Sequence, residues 1–325
     1  MGISRTTRWL IHPISHTTRR WGHLLTFTAA RVGPRVPAYA QAVGEKIGLE
    51  DPAQCRVFGF VDGVFLCVAC TCCWCWVSGH SSLLLVLGLG SLFPWRSIQS
   101  DPSRPSSTQH PTDRYTCRPR LFQEGMYNGY YKGHGYKFQA VVTPNGLIED
   151  LYGPEGGRHH DIFLWQMSRV GREMDALPDA PNGGRYVIYG DAAYRKPRAR
   201  NHIAVAYPRY LPLTPQEEHL NKVFNKARVV VEWAFGHVYA LWSLLRFTPL
   251  LKTGQCPVAS WYLASCLLYN FRTCLNRGNQ ISLFFNLIPP TLSEYLDAPR
   301  PDQPRWADVL EAYQQIIQAY PDLDL

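Results

Sequence analysis

The first half of the chain contains short apolar segments of the length expected for buried strands. Residues 57–66 (VFGFVDGVFL) are rich in Val and Phe and are broken only by an Asp-Gly pair, which predicts a buried strand. The alternating segments 136–143 and 147–153 flank a Pro-Asn-Gly turn, and this arrangement predicts a β-hairpin. Residues 185–190 (RYVIYG) predict one further short strand.

Longer segments in the second half repeat apolar residues at three- and four-residue spacings. Residues 216–246 show this spacing most clearly, and Pro215 stands where a helix tolerates proline. Because helices alternate with strands before this point and dominate after it, the pattern predicts a mixed α/β fold. Further helices are predicted over 160–176, 257–276 and 306–319.

The composition adds a basic balance to this pattern. Lys and Arg number 33 against 25 Asp and Glu, so the net charge is +8. Charged residues make up only 18% of the chain, which excludes a compositionally disordered protein. A basic protein favours polyanionic partners such as nucleic acid. Residues 1–44 contain six Arg and no acidic residue, as expected of a mitochondrial presequence, a basic arm on DNA, or a helical lead-in to a domain.

The stretch 66–116 interrupts the α/β pattern. Its residues 67–95 carry no charge, and a run longer than roughly 20 residues could cross a bilayer, although His, Ser and Gly make this signal uneven. Cys67–Cys70 and Cys72–Cys75 have zinc-site spacing, but no second pair follows at the spacing of a zinc finger. A membrane anchor, a zinc site and a real insertion therefore stay open for this stretch.

Three acidic residues stand in apolar surroundings. Asp62 lies inside the first predicted strand, Asp191 directly follows the strand 185–190, and Glu232 lies inside a predicted helix. If the two strands are neighbours, their carboxylates meet, and a divalent cation such as Mg²⁺ would offset the repulsion. Each acid also has an ordinary explanation: an Asp-Gly turn, a helix N-cap, and a surface salt bridge to Arg228 one turn earlier.

Ordered motifs connect these acids to a known family. The motifs follow one another as Gly59-Phe60-Val61-Asp62-Gly63, Cys117-Arg118-Pro119-Arg120, Tyr127-Asn128-Gly129, His134-Gly135-Tyr136-Lys137-Phe138-Gln139, Thr143-Pro144-Asn145-Gly146, Gly157-Arg158-His159-His160-Asp161, Gly190-Asp191-Ala192-Ala193-Tyr194 and Arg228-Val229-Val230-Val231-Glu232-Trp233. In this order they resemble the DDE endonuclease domain of PIF/Harbinger-type transposases. The resemblance spans about 57–275, apart from the interruption at 66–116. Because the family motifs resume at Cys117, the resemblance favours a retained intron or a mispredicted exon boundary as the origin of 66–116.

The resemblance implies an RNase H-like α/β fold, a mixed sheet flanked by helices with a helical C-terminal part. It implies that Asp62 on the first strand, Asp191 at the end of the fourth and Glu232 on a later helix form a catalytic triad that binds Mg²⁺ or Mn²⁺. Asp161 is expected as an auxiliary ligand. The implied reaction is two-metal hydrolysis and strand transfer of DNA phosphodiesters.

The implied partners are DNA at transposon ends, a separate DNA-binding protein and further copies of the chain, in the nucleus. Arg118, Arg120, Lys132 and Lys137 are expected to contact phosphates. His159 and His160 are expected to orient ligands or face DNA rather than bind metal.

The domain boundaries follow from the same resemblance. We expect a basic helical lead-in at 1–56, truncated relative to the family, an endonuclease domain at 57–276, interrupted at 66–116, and a tail with a short helix at 277–325. The alternatives are a domesticated DNA- or protein-binding module without catalysis, and a protein anchored in a membrane through 67–95.

Overall fold

The architecture comes from a computed structural model that describes most of the predicted domain. The segment 69–123, the predicted helix 306–319 and the expected phosphate contacts Arg118 and Arg120 lie outside the described residues. The described residues are 20–68, 124–195, 201–208, 210, 212–246, 248, 251 and 257–299.

A six-stranded mixed sheet forms the centre of the fold. Its main path runs β3-β1-β5-β6, and β4 and the short β2 both pair with β3. The pairs of β1 with β3 and of β3 with β4 are antiparallel, whereas those of β1 with β5 and of β5 with β6 are parallel. The four strands predicted at 57–66, 136–143, 147–153 and 185–190 are confirmed as β1, β3, β4 and β5. The strands are β1 Val57–Cys67, β2 Tyr127–Asn128, β3 Gly133–Val142, β4 Ile148–Gly156, β5 Val187–Gly190 and β6 Ile203–Val205.

The predicted hairpin joins β3 to β4 at the Pro-Asn-Gly turn. Gly146 has φ +84°, a backbone conformation that glycine adopts without a steric cost. The buried side chain of Asn145 accepts hydrogen bonds from the Thr143 hydroxyl at 2.7 Å and the Leu147 amide at 3.2 Å. These local bonds set the turn and thereby the register of the two strands.

Eight α-helices are described, and they cover both faces of the sheet. On one face α5 and α6 pack against β1 and β3 through residues such as Phe60, Phe138 and Tyr262. On the other face α2, α3 and α4 pack against Phe58 and Ile188. The arrangement is the RNase H-like α/β fold expected. The helices are α1 Ala29–Val32, α2 Val36–Ile47, α3 Asp161–Ser168, α4 Val170–Asp175, α5 Pro215–Leu241, α6 Val258–Leu275, α7 Gln280–Phe284 and α8 Leu292–Leu296.

The long helix α5 begins and packs as its sequence predicts. Thr214 and Glu217 form a reciprocal capping box, and Pro215 occupies the first turn, where its missing N–H costs nothing. The apolar residues at three- and four-residue spacings, Val230, Val231, Ala234 and Val238, are buried. These residues form the face of α5 that packs against the sheet. The polar residues at the positions between them therefore lie at the edge of that face, beside the sheet.

The prediction of a single helix over 160–176 is wrong in one respect, because the chain forms two helices there. Arg169 has φ +63° and separates α3 from α4. The Ser168 hydroxyl donates to the Trp165 carbonyl at 2.8 Å and accepts from the Val170 amide at 3.4 Å. Serine thus competes with the backbone for hydrogen bonds and interrupts the helix.

Two arginines of the basic N-terminal segment belong to the folded core. Arg31 forms a buried ion pair with Glu149 of β4 and donates to the Thr26 carbonyl at 2.9 Å. Arg35 lies 3.6 Å from the same carboxylate. Burial alone would raise the pKa of the Glu149 carboxyl, but the two guanidinium groups outweigh it and lower that pKa. These two arginines stabilise the contact between the N-terminal segment and the sheet.

Within the described ranges, no helix has the length and apolar character needed to cross a membrane. The membrane anchor through 67–95 and the zinc site at Cys67–Cys70 and Cys72–Cys75 stay hypotheses, because residues 69–95 fall outside those ranges.

Candidate active site

Asp62 and Asp191 lie next to each other at the centre of the sheet. In the parallel register of β1 and β5, Val61 pairs with Gly190, so each Asp directly follows one member of this pair. The strands are therefore neighbours, as the metal-site hypothesis requires. With the two-residue β2 set aside, β5 is the fourth strand along the chain, the position that the family resemblance implies for Asp191.

Arg228 of α5 connects Asp62 with Glu232. One guanidinium nitrogen lies 2.6 Å from Asp62 Oδ2, and the other lies 3.4 Å from Glu232 Oε1. The predicted salt bridge between Arg228 and Glu232 is confirmed. The Glu232 side chain is 55% exposed, so this carboxylate stands at the solvent side of the site.

Asp161 joins the same site from the start of α3. Gly63, the residue after Asp62, allows this approach: a Cβ atom there would lie 2.2 Å from Asp161 Oδ1. The ammonium of Lys137 lies 2.8 Å from that oxygen and donates to the His159 carbonyl at 3.2 Å. Lys137, expected at a DNA phosphate, therefore has a protein carboxylate as its partner.

The acids influence one another electrostatically. The pKa of the Asp62 carboxyl is raised to about 6. Burial is the largest cause of this rise, and Arg228 and the Gly63 amide act in the opposite direction. The negative charges of Asp191 and Asp161 raise it further. Three carboxylates from two strands and a helix start thus converge on one region, although Asp62 and Asp191 are 129 positions apart in the sequence.

Tyr194 and Gln139 lie beside these acids and were not assigned a role from the sequence. The Tyr194 hydroxyl donates to Gln139 Oε1 at 3.1 Å, and both side chains are buried. Burial, followed by the charges of Asp161, Asp62 and Asp191, raises the pKa of Tyr194 well above its usual value, so the phenol stays protonated. The available signal was a polar residue, Gln139, inside the apolar strand segment KFQAVV.

The remaining candidates lie around the acids. Asp191 also accepts a hydrogen bond from the Ala193 amide at 2.8 Å as N-cap of the 3-10 turn Ala192–Tyr194. His159 pairs with Glu155 at 3.2 Å, and His160 precedes the first residue of α3. Lys132 is exposed at the tip of the hairpin that joins β2 to β3.

The donor types at this site fit a hard divalent cation, which prefers carboxylate oxygens. In the part of the chain that the structure describes, no group of three or more His, Cys, Asp or Glu side chains is arranged as a ready metal-binding set. Instead, Arg228 and Lys137 supply the positive charges beside Asp62 and Asp161. A bound cation would compete with these two side chains for the same oxygens.

A comparison with known families covers about half of the chain. A family model described as "DDE superfamily endonuclease" matches residues 108–270. This range includes Asp161, Asp191 and Glu232, and it begins after Asp62. No match was found among curated proteins or among solved structures.

Proposed function

Because the chain belongs to the DDE superfamily of endonucleases, we propose that it is a metal-dependent DNA nuclease of the transposase type. More specifically, we propose that it is a transposase of the PIF/Harbinger type that acts on transposon ends in the nucleus. Its partners would be further copies of the chain and a separate DNA-binding protein. The reaction is hydrolysis of DNA phosphodiesters followed by strand transfer.

The observation that carries the proposal is the parallel pairing of β1 with β5. It sets Asp62 beside Asp191 at the middle of the sheet, where two carboxylates at close range favour a bound cation. The close approach of Asp161 to Gly63 adds a third acid. An arrangement of acids on the central strands of an α/β sheet supports phosphoryl-transfer chemistry more than a purely structural role, because like charges that are partly withdrawn from water cost stability.

Asp62, Asp191 and Glu232 would hold the metal, with Asp161 as an auxiliary ligand. The bound metal would supply Lewis-acid polarisation of the phosphodiester and a nucleophilic water. Of the protein groups, Arg228 orients Asp62 and Glu232, and Lys137 orients Asp161. Tyr194 and Gln139 are buried beside the acids and are hydrogen-bonded to each other.

The test compares Asp191→Asn with Asp51→Asn in the full chain. Asp51 is a matched control, because it caps the 3-10 turn Pro52–Gln54 through the Ala53 amide just as Asp191 caps its own. With supercoiled plasmid and Mg²⁺ or Mn²⁺, the wild type and Asp51→Asn should cleave. Asp191→Asn should be slower by at least about 100-fold, the upper end of what losing an outer contact of a metal site costs.

A binding module without catalysis is the second candidate, and one observation favours it. Arg228 and Lys137 already form ion pairs with Asp62 and Asp161 within the protein, as expected if these carboxylates have no catalytic role. If neither the wild type nor the variants cleave while all of them bind DNA, the binding module is the better account. Equal cleavage by wild type and Asp191→Asn would remove the catalytic role of Asp191.

A further inference from the structure

A short hairpin beside the acidic site presents two tyrosines to solvent. Residues 127–134, named here the tyrosine hairpin, form it through the pairing of Tyr127 with His134 and of Asn128 with Gly133. At its tip Tyr130 is 87% exposed and Tyr131 is 52% exposed. Both rings are therefore accessible to a ligand.

The tip of the tyrosine hairpin is held in one conformation. Asn128 Oδ1 accepts hydrogen bonds from the amides of Tyr130 and Tyr131 at 3.0 and 3.1 Å. Its amide nitrogen donates to the Gly157 carbonyl at 2.7 Å. Since the same side chain fixes the tip and ties it to the end of β4, a ligand would meet a preorganised surface and lose less entropy on binding.

Tyr131 connects the hairpin directly to the strand that carries Asp62. Its ring stacks on Phe65 of β1 with a centroid distance of 4.6 Å and an angle of 3° between the planes. Burial raises the pKa of Tyr131, and the charges of Asp161 and Asp62 raise it further. The Tyr131 ring is therefore within electrostatic reach of the acids, and Tyr130 packs edge to face against Tyr131 at 5.0 Å.

The ligand class follows from the chemistry of this surface. Aromatic rings beside a basic residue bind unpaired nucleobases, because every base has a π-face and the adjacent phosphates are anionic. Lys132, exposed at the same tip, supplies the positive charge. In a duplex the bases are already stacked on one another, so only an unpaired or flipped-out base can reach the rings.

Building on the proposed function, we propose that the tyrosine hairpin stacks an unpaired base of the DNA strand that enters the acidic site. Tyr130 and Tyr131 are positioning residues in this role, since they contact the base and not the phosphodiester. The substrate class that follows is DNA with an unpaired or distorted segment at the cleavage position.

The experiment measures DNA binding by the full chain in EDTA, so that its outcome does not depend on cleavage. Fluorescence anisotropy is recorded with a labelled oligothymidine and with a labelled duplex. Tyr130→Ala should weaken binding to the single strand by roughly 5- to 100-fold, the usual effect of losing one stacked base, and Tyr130→Trp should retain it. Binding to the duplex should change much less.

Two further variants separate stacking from a loss of folding. Tyr210→Ala is the matched control, since this tyrosine is 80% exposed between β6 and α5, and it should bind like the wild type. Tyr131→Phe should keep both the contact with Phe65 and the affinity. Wild-type affinity of Tyr130→Ala for the oligothymidine would overturn the proposal, and so would an equal loss on single strand and duplex.

The outcome is distinguishable from that of the proposed function. If Tyr130→Ala loses single-strand binding while the wild type fails to cleave plasmid, the stacking role stands and the nuclease proposal fails. If the wild type cleaves and Tyr130→Ala binds normally, the nuclease proposal stands and the stacking role fails.

Discussion

Replacing Gly63 by Ala should displace Asp161 from the acidic site. The new Cβ atom would lie 2.2 Å from Asp161 Oδ1 and 3.1 Å from its Cγ, whereas Lys137 Cε at 3.5 Å would be in ordinary contact. The Asp161 side chain is short and starts from the first residue of α3, so it must rotate away and give up its ion pair with Lys137. We expect a loss of about 1–3 kcal/mol in the free energy of unfolding, as for other overpacked sites.

The assay is a double-mutant cycle in urea with Asp161→Ala as the second change. The shortened side chain of that variant lacks both atoms that the new methyl group meets, so Gly63→Ala should cost little in that background, and the two changes should show a coupling energy of about 1–3 kcal/mol. Gly125→Ala is the control, because a Cβ there meets nothing within 4 Å. An equal cost of Gly63→Ala with and without Asp161 would refute this geometry, and with it the place of Asp161 in the site.

Three further predictions concern the buried ion pair and the DNA surface. Glu149→Gln leaves buried arginine without its partner and should cost about 3–5 kcal/mol by urea denaturation, whereas the exposed Glu45→Gln should change stability by less than about 0.5 kcal/mol. The pKa of Glu149 in the folded protein is lowered from 4.5. Its contribution to the free energy of unfolding is therefore present above pH 4.5 and is lost as the pH falls below that value. If stability falls as steeply with pH for Glu149→Gln as for the wild type, this prediction is contradicted. Lys132→Gln should reduce the slope of log affinity against log salt for DNA by about one, and a slope matching that of the wild type would show that Lys132 contacts no phosphate.

Local sequence signals were sufficient for most of the secondary structure. The strand β1, the hairpin at Gly146 and the helix α5 follow from apolar spacing and from turn and capping residues, which act over a few positions. The break at Arg169 was missed, because the helical spacing continues across it and only the hydrogen bonds of Ser168 reveal the interruption.

The candidate acids could also be selected from the sequence, because Asp62 and Asp191 are charged residues at apolar strands and burial of an unpaired charge is costly. Their family was recognised from motif order. Neither signal could identify the partners of these acids, since partners depend on which distant segments meet.

Sequence alone therefore determined most of the elements, the fold class and the acids Asp62, Asp191 and Glu232 as candidates. Tertiary structure alone decided that Arg228 pairs with Asp62, that Lys137 faces Asp161 rather than solvent, and that Arg31 is buried against Glu149. The physical reason is the range of the interactions. Helix and turn preferences act between residues a few positions apart, whereas an ion pair between residues 62 and 228 exists only after the sheet and α5 have packed.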